Sequence, residues 1–200
     1  AGRNAGTQQG CDGDRGVGAD HLRADPDALH ALWPQARIIV LDAEGRALAD
    51  AERQLFVLDG ADVGYVEASF NFLGLRDGQA WFFAESAALA VFAPERIDLR
   101  RAAAKWPAWQ ATLFAQARAL QHWHARHRHC SACGGSLRFV RAGWLGVCDA
   151  CKSEHYPRTD QAVTVAVTDG ERLLLGRQAS WPPRRRSVVA GPVDPGATLE

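Results

Sequence analysis

Methionine is absent from this 200-residue sequence, tyrosine occurs twice, and Lys105 and Lys152 are the only lysines among 23 basic residues. With arginine supplying the rest and alanine abundant, this reads as GC-rich coding and excludes no function. The lack of methionine even at position 1 is what a fragment or a processed start gives. Net charge is also absent, with 23 basic against 23 acidic residues. A neutral chain has no broad electrostatic attraction for nucleic acid or a membrane surface. No apolar run approaches the ~18 residues of a membrane span. Residues 1–20 are Gly-rich and polar, without the apolar core of a signal peptide. Cysteine is sparse and unevenly placed: five in all, four of them between positions 130 and 151. That clustering argues against a secreted disulfide framework and for metal. Reduced thiols and no visible signal make the expected location cytoplasmic.

What remains is a globular balance, 47% hydrophobic and 23% charged, in a length that suits one ordinary domain or two small ones. Residues 1–20 read as a disordered lead-in, with Cys11 an inert exposed thiol. From Leu29 to about Pro94 the text is β-rich. Ile38–Leu41 and Leu55–Leu58 are short apolar runs followed by turns. Phe70–Leu75 and Ala80–Phe83 flank Arg76-Asp77-Gly78-Gln79, and Asp-Gly between two such runs is a hairpin signal. The expectation is a small α+β domain built on antiparallel strands. Residues 98–127 switch to helix, with Leu113, Ala117 and Leu120 on one face, Pro107 in the first turn and LRRAAAK as a separate helical turn. His122, His124, His127 and His129 at the helix end read as a solvated terminus, where positive charge suits the dipole, and not as ligands.

Cys130-Ser131-Ala132-Cys133 and Cys148-Asp149-Ala150-Cys151 are two Cys-x-x-Cys knuckles. Between them Leu137–Val140 and Trp144–Val147 read as a hairpin turning at Ala142-Gly143, which returns the second knuckle beside the first. Four thiolates then close a tetrahedral zinc site with no open position, a structural and not a catalytic metal. Gly134-Gly135 supplies the permissive backbone after the first knuckle. Two disulfides, free thiols and an iron–sulfur centre are the alternatives. Beyond the ribbon, Ala162–Val167 reads as a strand, residues 168–171 as a turn, Arg172–Arg177 as the return strand and Ser187–Ala190 as another. Gly191–Gly196 reads as a tight loop opening a helix at Thr198–Glu200. Arg184-Arg185-Arg186 reads as a solvated loop.

The HCSACGG ribbon, the HYPRTD run after it, two strands, and then WPP followed by SVVAGPVDPGATLE resemble the NADH pyrophosphatase (NAD diphosphatase) family of Nudix hydrolases. The resemblance covers roughly residues 30–200. The helical text at 21–37 and the FLGLRDGQAWFFAE hairpin resemble the family's N-terminal domain. The implied organisation is a lead-in at 1–20, an α+β N-terminal domain at 21–127, a zinc ribbon at 128–159 and the start of a Nudix α/β/α sandwich at 160–200. The implied activity is hydrolysis of NAD(H), or of NAD caps on RNA, to a nicotinamide mononucleotide and AMP. It would use catalytic Mg²⁺ or Mn²⁺, with a structural Zn²⁺ on Cys130, Cys133, Cys148 and Cys151. Tyr156 falls where the family has a substrate-contacting tyrosine, packing being the other reading. Ala190 falls where a main-chain carbonyl joins the catalytic metal's shell. Gly191 matches the first glycine of the Nudix box, but Ala197 stands in place of its first glutamate and the remaining glutamates fall past position 200. These 200 residues are therefore expected to be inactive by themselves. A homodimer is implied by the family. A nucleic-acid-binding ribbon using Arg138, Arg141 and Trp144, and a non-catalytic dimerising remnant, are the competing readings.

Overall fold

The computed structural model describes residues 16–17, 19–89, 91–194 and 196–197, and the chain divides into two compact units at Pro157/Arg158. The described part is mixed α+β. The reading of Cys11, most of the lead-in and the helix start at Thr198–Glu200 fall outside the described residues. Within the lead-in, Gly16–Val17 (β1) pairs with Leu75 and Arg76, and Ala19 is buried.

The first unit centres on a mixed sheet. Its strands are β1, Arg37–Leu41 (β2), Ala47–Ala49 (β3), Val57–Asp59 (β4), Asn71–Arg76 (β5), Gln79–Glu85 (β6) and Glu95–Ile97 (β7). They run in the order β1-β5-β6-β2-β3-β7, with β4 also on β2. The β5–β6 hairpin turns at Asp77 (φ 50°) and Gly78 (φ 77°), two left-handed residues as a tight primed turn requires. One expectation is corrected: the sheet is not purely antiparallel, because β2 and β6 run parallel from Arg37↔Trp81 to Leu41↔Glu85. The reason is visible in the sequence. Ile-Ile-Val-Leu and Ala-Trp-Phe-Phe-Ala are unbroken apolar runs, as suits strands covered on both faces.

Both faces are in fact covered. Ile39, Leu41, Trp81 and Phe83 face Ala102, Trp106, Phe114, Ala117, Leu120 and Trp123. Those residues come from Leu99–Lys105 (α2), its C-cap Trp106, and Ala108–Arg126 (α3). On the other face Ile38, Val40 and Phe82 pack with Leu29 and Trp33. Leu29 lies in Pro26–Leu32 (α1), capped by the Asp25 carboxylate accepting from the Ala28 N–H, so helix and not strand occupies the start of the β-rich reading. Asp98 caps α2 in the same way. Pro107 stands one residue before α3, as its N-cap, and not inside the first turn. The buried Gln121 amide donates to the Asp42 carbonyl at 2.8 Å, tying α3 to the β2–β3 turn.

The second unit is small. Ala162–Val165 (β11) pairs antiparallel with Val189–Pro192 (β12); Leu137–Val140 (β8), Leu145–Cys148 (β9) and Glu154–His155 (β10) belong to the ribbon described below. Two expectations change here. Arg172–Arg177 forms no ladder, only bridges Thr168↔Leu173 and Gly176↔Ser187. Gly191 and Pro192 belong to β12 and not to a tight loop, because each faces a β11 partner, Val163 and Ala162. Val165, Val167, Leu173, Leu174, Leu175 and Val189 remain between 43 and 57% exposed.

Candidate metal centre

The ribbon begins where α3 ends. Leu137–Val140 (β8) and Leu145–Cys148 (β9) form the hairpin, and Glu154–His155 (β10) adds a third strand on β9. The turn uses Arg141, Ala142 and Gly143, all at positive φ. Trp144 therefore sits in the turn, and β9 starts one residue later than the sequence suggested.

The two knuckles have the same backbone. Gly134 N–H donates to the Cys130 carbonyl at 2.9 Å, and Lys152 N–H to the Cys148 carbonyl at 3.1 Å. Cys130 N–H donates to the Gly135 carbonyl at 2.8 Å, and Cys148 N–H to the Ser153 carbonyl at 3.0 Å. Gly134 and Lys152, the residues after the second cysteine of each knuckle, are both left-handed, at φ 75° and 63°. That conformation is free for glycine and costs lysine a little. N–H groups of Ala132 and Cys151 point at the sulfurs of Cys130 and Cys148, at 3.4 and 3.5 Å. Such donors favour thiolate over thiol.

The result is a cluster of four sulfurs. All Sγ atoms of Cys130, Cys133, Cys148 and Cys151 lie within 4.8 Å of one another. Cys130–Cys151 and Cys133–Cys148 stand at 3.6 and 3.5 Å. None is in a disulfide. Four sulfurs at ~2.3 Å from one zinc lie about 3.8 Å apart at the edges of a tetrahedron, so the spacing fits that ion. Gly135 is required by the same crowding. A Cβ there would stand 2.9 Å from the Ala150 Cβ and 3.1 Å from the Cys148 sulfur.

Proton affinities in the cluster are unequal. Cys151 is held down at about 6, first by the Ser153 hydroxyl 3.1 Å away and then by that residue's backbone. Cys133 has a lowering hydrogen bond from the Gly135 backbone, yet it is pushed up to about 12 by sharing protons with Cys151, Cys148 and Cys130. Four thiols so close cannot all ionise alone; a divalent cation removes that conflict by holding them as thiolates.

The ribbon is fastened to the first unit's core by its turn. The Trp144 indole N–H donates to the Phe72 carbonyl at 2.6 Å, and the Arg23 guanidinium lies 3.6 Å over the Trp144 ring. His124 Nε2 bonds the Gly143 carbonyl at 2.7 Å, and its ring packs 4.1 Å from Phe139. The solvated-terminus reading therefore fails for His124, which is a structural contact, while His122 and His129 are exposed as expected. Burial lowers the His124 pKa below its usual 6.5, although the Gly143 bond raises it. The nucleic-acid reading of the ribbon is also overturned. Trp144 is engaged inside the molecule, Arg138 pairs with Asp149 at 3.5 Å, and Arg141 with Asp20 at 3.9 Å.

Sequence reasoning named Trp144 and His124 but gave them other roles, saw Gly135 only as permissive backbone, and missed Ser153. The repeated offset of residue 5 after each knuckle's start, Gly135 and Ser153, was the available signal. Tyr156 belongs to the first unit; it is exposed, and its hydroxyl donates to the Glu154 carboxylate at 2.5 Å. Ala190 belongs to the second unit, in β12 opposite Thr164. No helix among the described residues is long and apolar enough to cross a membrane.

Comparison with known proteins agrees with this geometry. Residues 125–156 match the family model described as the NADH pyrophosphatase zinc ribbon domain. Over 190 residues the chain is 36% identical to proteins named NAD-capped RNA hydrolase NudC, from Mycobacterium bovis BCG Pasteur and from Mycobacterium tuberculosis H37Rv. That match takes in 91% of this chain and 60% of theirs, so the chain spans about three fifths of the length of those relatives. The human protein named NAD-capped RNA hydrolase NUDT12 is 36% identical over 101 residues, 46% of this chain and 22% of that protein. The ribbon, with its closed set of four sulfurs, is similar to the NADH pyrophosphatase zinc ribbon, and the similarity to proteins named NAD-capped RNA hydrolase extends to both sides of it.

Proposed function

We propose that this chain is part of an NAD diphosphatase that cleaves the diphosphate of NAD(H), free or as a cap on RNA, to a nicotinamide mononucleotide and AMP. The observation that carries the reading is the four-sulfur cluster on a ribbon of NADH pyrophosphatase type, set in a chain similar to NAD-capped RNA hydrolases on both sides of it. In this reading Cys130, Cys133, Cys148 and Cys151 hold one structural Zn²⁺. The organisation is a lead-in at 1–20, an N-terminal domain at 21–127, the ribbon at 128–159 and the start of the hydrolase domain at 160–200. The protein acts as a cytoplasmic homodimer.

Tyr156, exposed just beyond the ribbon, contacts the substrate. Its hydroxyl already has an acceptor in Glu154, so its ring is the part free to stack. The Ala190 carbonyl contributes to the catalytic metal's shell, a role that needs only backbone. Mg²⁺ or Mn²⁺ there, when bound, polarises phosphoryl oxygens and makes water a nucleophile at neutral pH. Within this sequence Ala197, at the position of the first box glutamate, offers no carboxylate to hold it.

The test is AMP release from NADH with Mn²⁺. The 200-residue chain is expected to show none, a loss of many orders of magnitude relative to a working site. A chain extended with a full Nudix box and carrying Ala197→Glu is expected to turn over. Turnover by the 200-residue chain that disappears in Asp194→Asn would reveal a different site, and no turnover by the extended chain would refute the reading.

A further inference from the structure

Two of the four ribbon sulfurs are open to solvent and two are not. Cys133 and Cys151, the second cysteine of each knuckle, are exposed, whereas Cys130 and Cys148 are 3% and 0% exposed. The contacts Cys133–Cys148 at 3.5 Å and Cys130–Cys151 at 3.6 Å each join an exposed cysteine of one knuckle to a buried cysteine of the other. An oxidant in solution can reach the first kind, and the second kind stands beside it as a resolving thiol, the arrangement of redox-sensing pairs.

The two exposed sulfurs are not alike. Each accepts from the backbone two residues on, at Gly135 and at Ser153. Cys151 also accepts from the Ser153 hydroxyl at 3.1 Å. Cys133 has no matching hydroxyl, because glycine stands at the equivalent position: a Cβ at Gly135 would lie 3.4 Å from the Cys133 sulfur and 2.9 Å from the Ala150 Cβ. A donor hydroxyl draws electron density from sulfur and makes it the weaker nucleophile, so Cys133 is the unguarded member. Its neighbour Cys148 ends β9 opposite Leu137, the first residue of β8. A bond between Cys133 and Cys148 therefore spans the open end of the hairpin.

We propose that the ribbon is a peroxide-responsive modification site, with Cys133 the sulfur oxidised first and Cys148 the sulfur that resolves it into a disulfide between the knuckles. The Cys133 thiolate attacks a peroxide oxygen: the S–O bond forms, the O–O bond breaks and hydroxide leaves, giving a sulfenic acid. The Cys148 thiolate then attacks the Cys133 sulfur: the S–S bond forms, the S–O bond breaks and a second hydroxide leaves. Two thiolates lose two electrons in all, and one peroxide gains them. Two sulfurs then remain for Zn²⁺ where a closed structural site uses four. Release of the metal follows, and a second peroxide joins Cys130 to Cys151 by the same steps. The proposal goes beyond the hydrolase reading and does not depend on it.

The experiment titrates the zinc-loaded 200-residue chain carrying Cys11→Ser with hydrogen peroxide. Zinc release is read with a metallochromic dye, and disulfides by mass spectrometry of peptides from the alkylated protein. All the zinc is expected to be released, with about two peroxides consumed per zinc and Cys133–Cys148 forming ahead of Cys130–Cys151. Ser153→Ala, which removes only the hydroxyl, should abolish that order. A thiol reductant with Zn²⁺ should restore both the metal and the free thiols. Amide exchange checks that the fold is kept: α3 and β6 should stay protected through oxidation, and β8 and β9 should stay better protected than after chelation. Disulfides within a knuckle, sulfinic acids ahead of any disulfide, Cys130–Cys151 forming first, an order unchanged in Ser153→Ala, or zinc retained in excess peroxide would each overturn the assignment.

Discussion

The ribbon and the second unit are both short β segments of similar size, and they are held together by opposite means. The ribbon buries Cys130, Leu145 and Cys148 and inserts Trp144 and Phe139 against the first unit's core. Residues 158–197 contribute no fully buried hydrophobic side chain among those described, and six large apolar residues there stay about half exposed. A small β segment cannot bury enough apolar surface for independent stability. The ribbon solves this with a metal cross-link and a docking turn. The second unit has a two-stranded ladder and bridges, so its apolar side chains await a cover.

The largest effect should come from the cross-link. Chelating the metal, or Cys148→Ser, is expected to unfold residues 130–155, since structural zinc in such modules contributes about 10–16 kcal/mol of binding energy. Loss of amide protection confined to the ribbon, with α3 and β6 retaining theirs, is the readout. Ribbon amides that stay protected without metal would break the contrast. Next comes the sheet core. Phe82 is fully buried, and Phe82→Ala should cost about 3–5 kcal/mol in a denaturant titration.

Docking is a smaller term. Trp144→Phe removes the donor to the Phe72 carbonyl and should cost about 1–3 kcal/mol, with zinc content unchanged. The same interface should respond to pH through His124. Burial holds its pKa below the usual 6.5 in the folded chain, so the unfolded chain takes up the proton first. The neutral ring's contribution is complete above 6.5 and is lost as pH falls from there through the folded value. A melting temperature that drops over this window should drop less in His124→Gln, provided zinc content is constant. A drop of the same size in the variant would remove His124 from the account.

The contrast between the two segments was partly legible in the sequence. Two Cys-x-x-Cys knuckles and a hairpin of matching length are local signals, and Asp77-Gly78 marks its turn as plainly. The β2–β6 pairing was not legible as parallel, because Ile38 and Phe82 meet across intervening strands and pattern shows only that both are buried. Trp144 illustrates the same limit. An aromatic flanked by arginines reads as a nucleic-acid platform until its partners, Phe72 and Arg23, are known. Arg172–Arg177 looked like a strand because its leucines suit one; a strand also needs a neighbour, and only two bridges form. The smallest effect expected follows from that. Leu174 is 57% exposed, so Leu174→Lys should change stability by no more than about 0.5 kcal/mol while reducing self-association in sedimentation. A larger cost would show that the face is already covered.

The central claim is that four cysteines close around one metal, and thiol counting alongside metal analysis tests it most directly. The sequence has five cysteines. The native protein should contain one zinc per chain, and chelation should make four previously protected thiols reactive. Metal-free protein with five reactive thiols at the outset, or thiols that appear only after reduction, would contradict it.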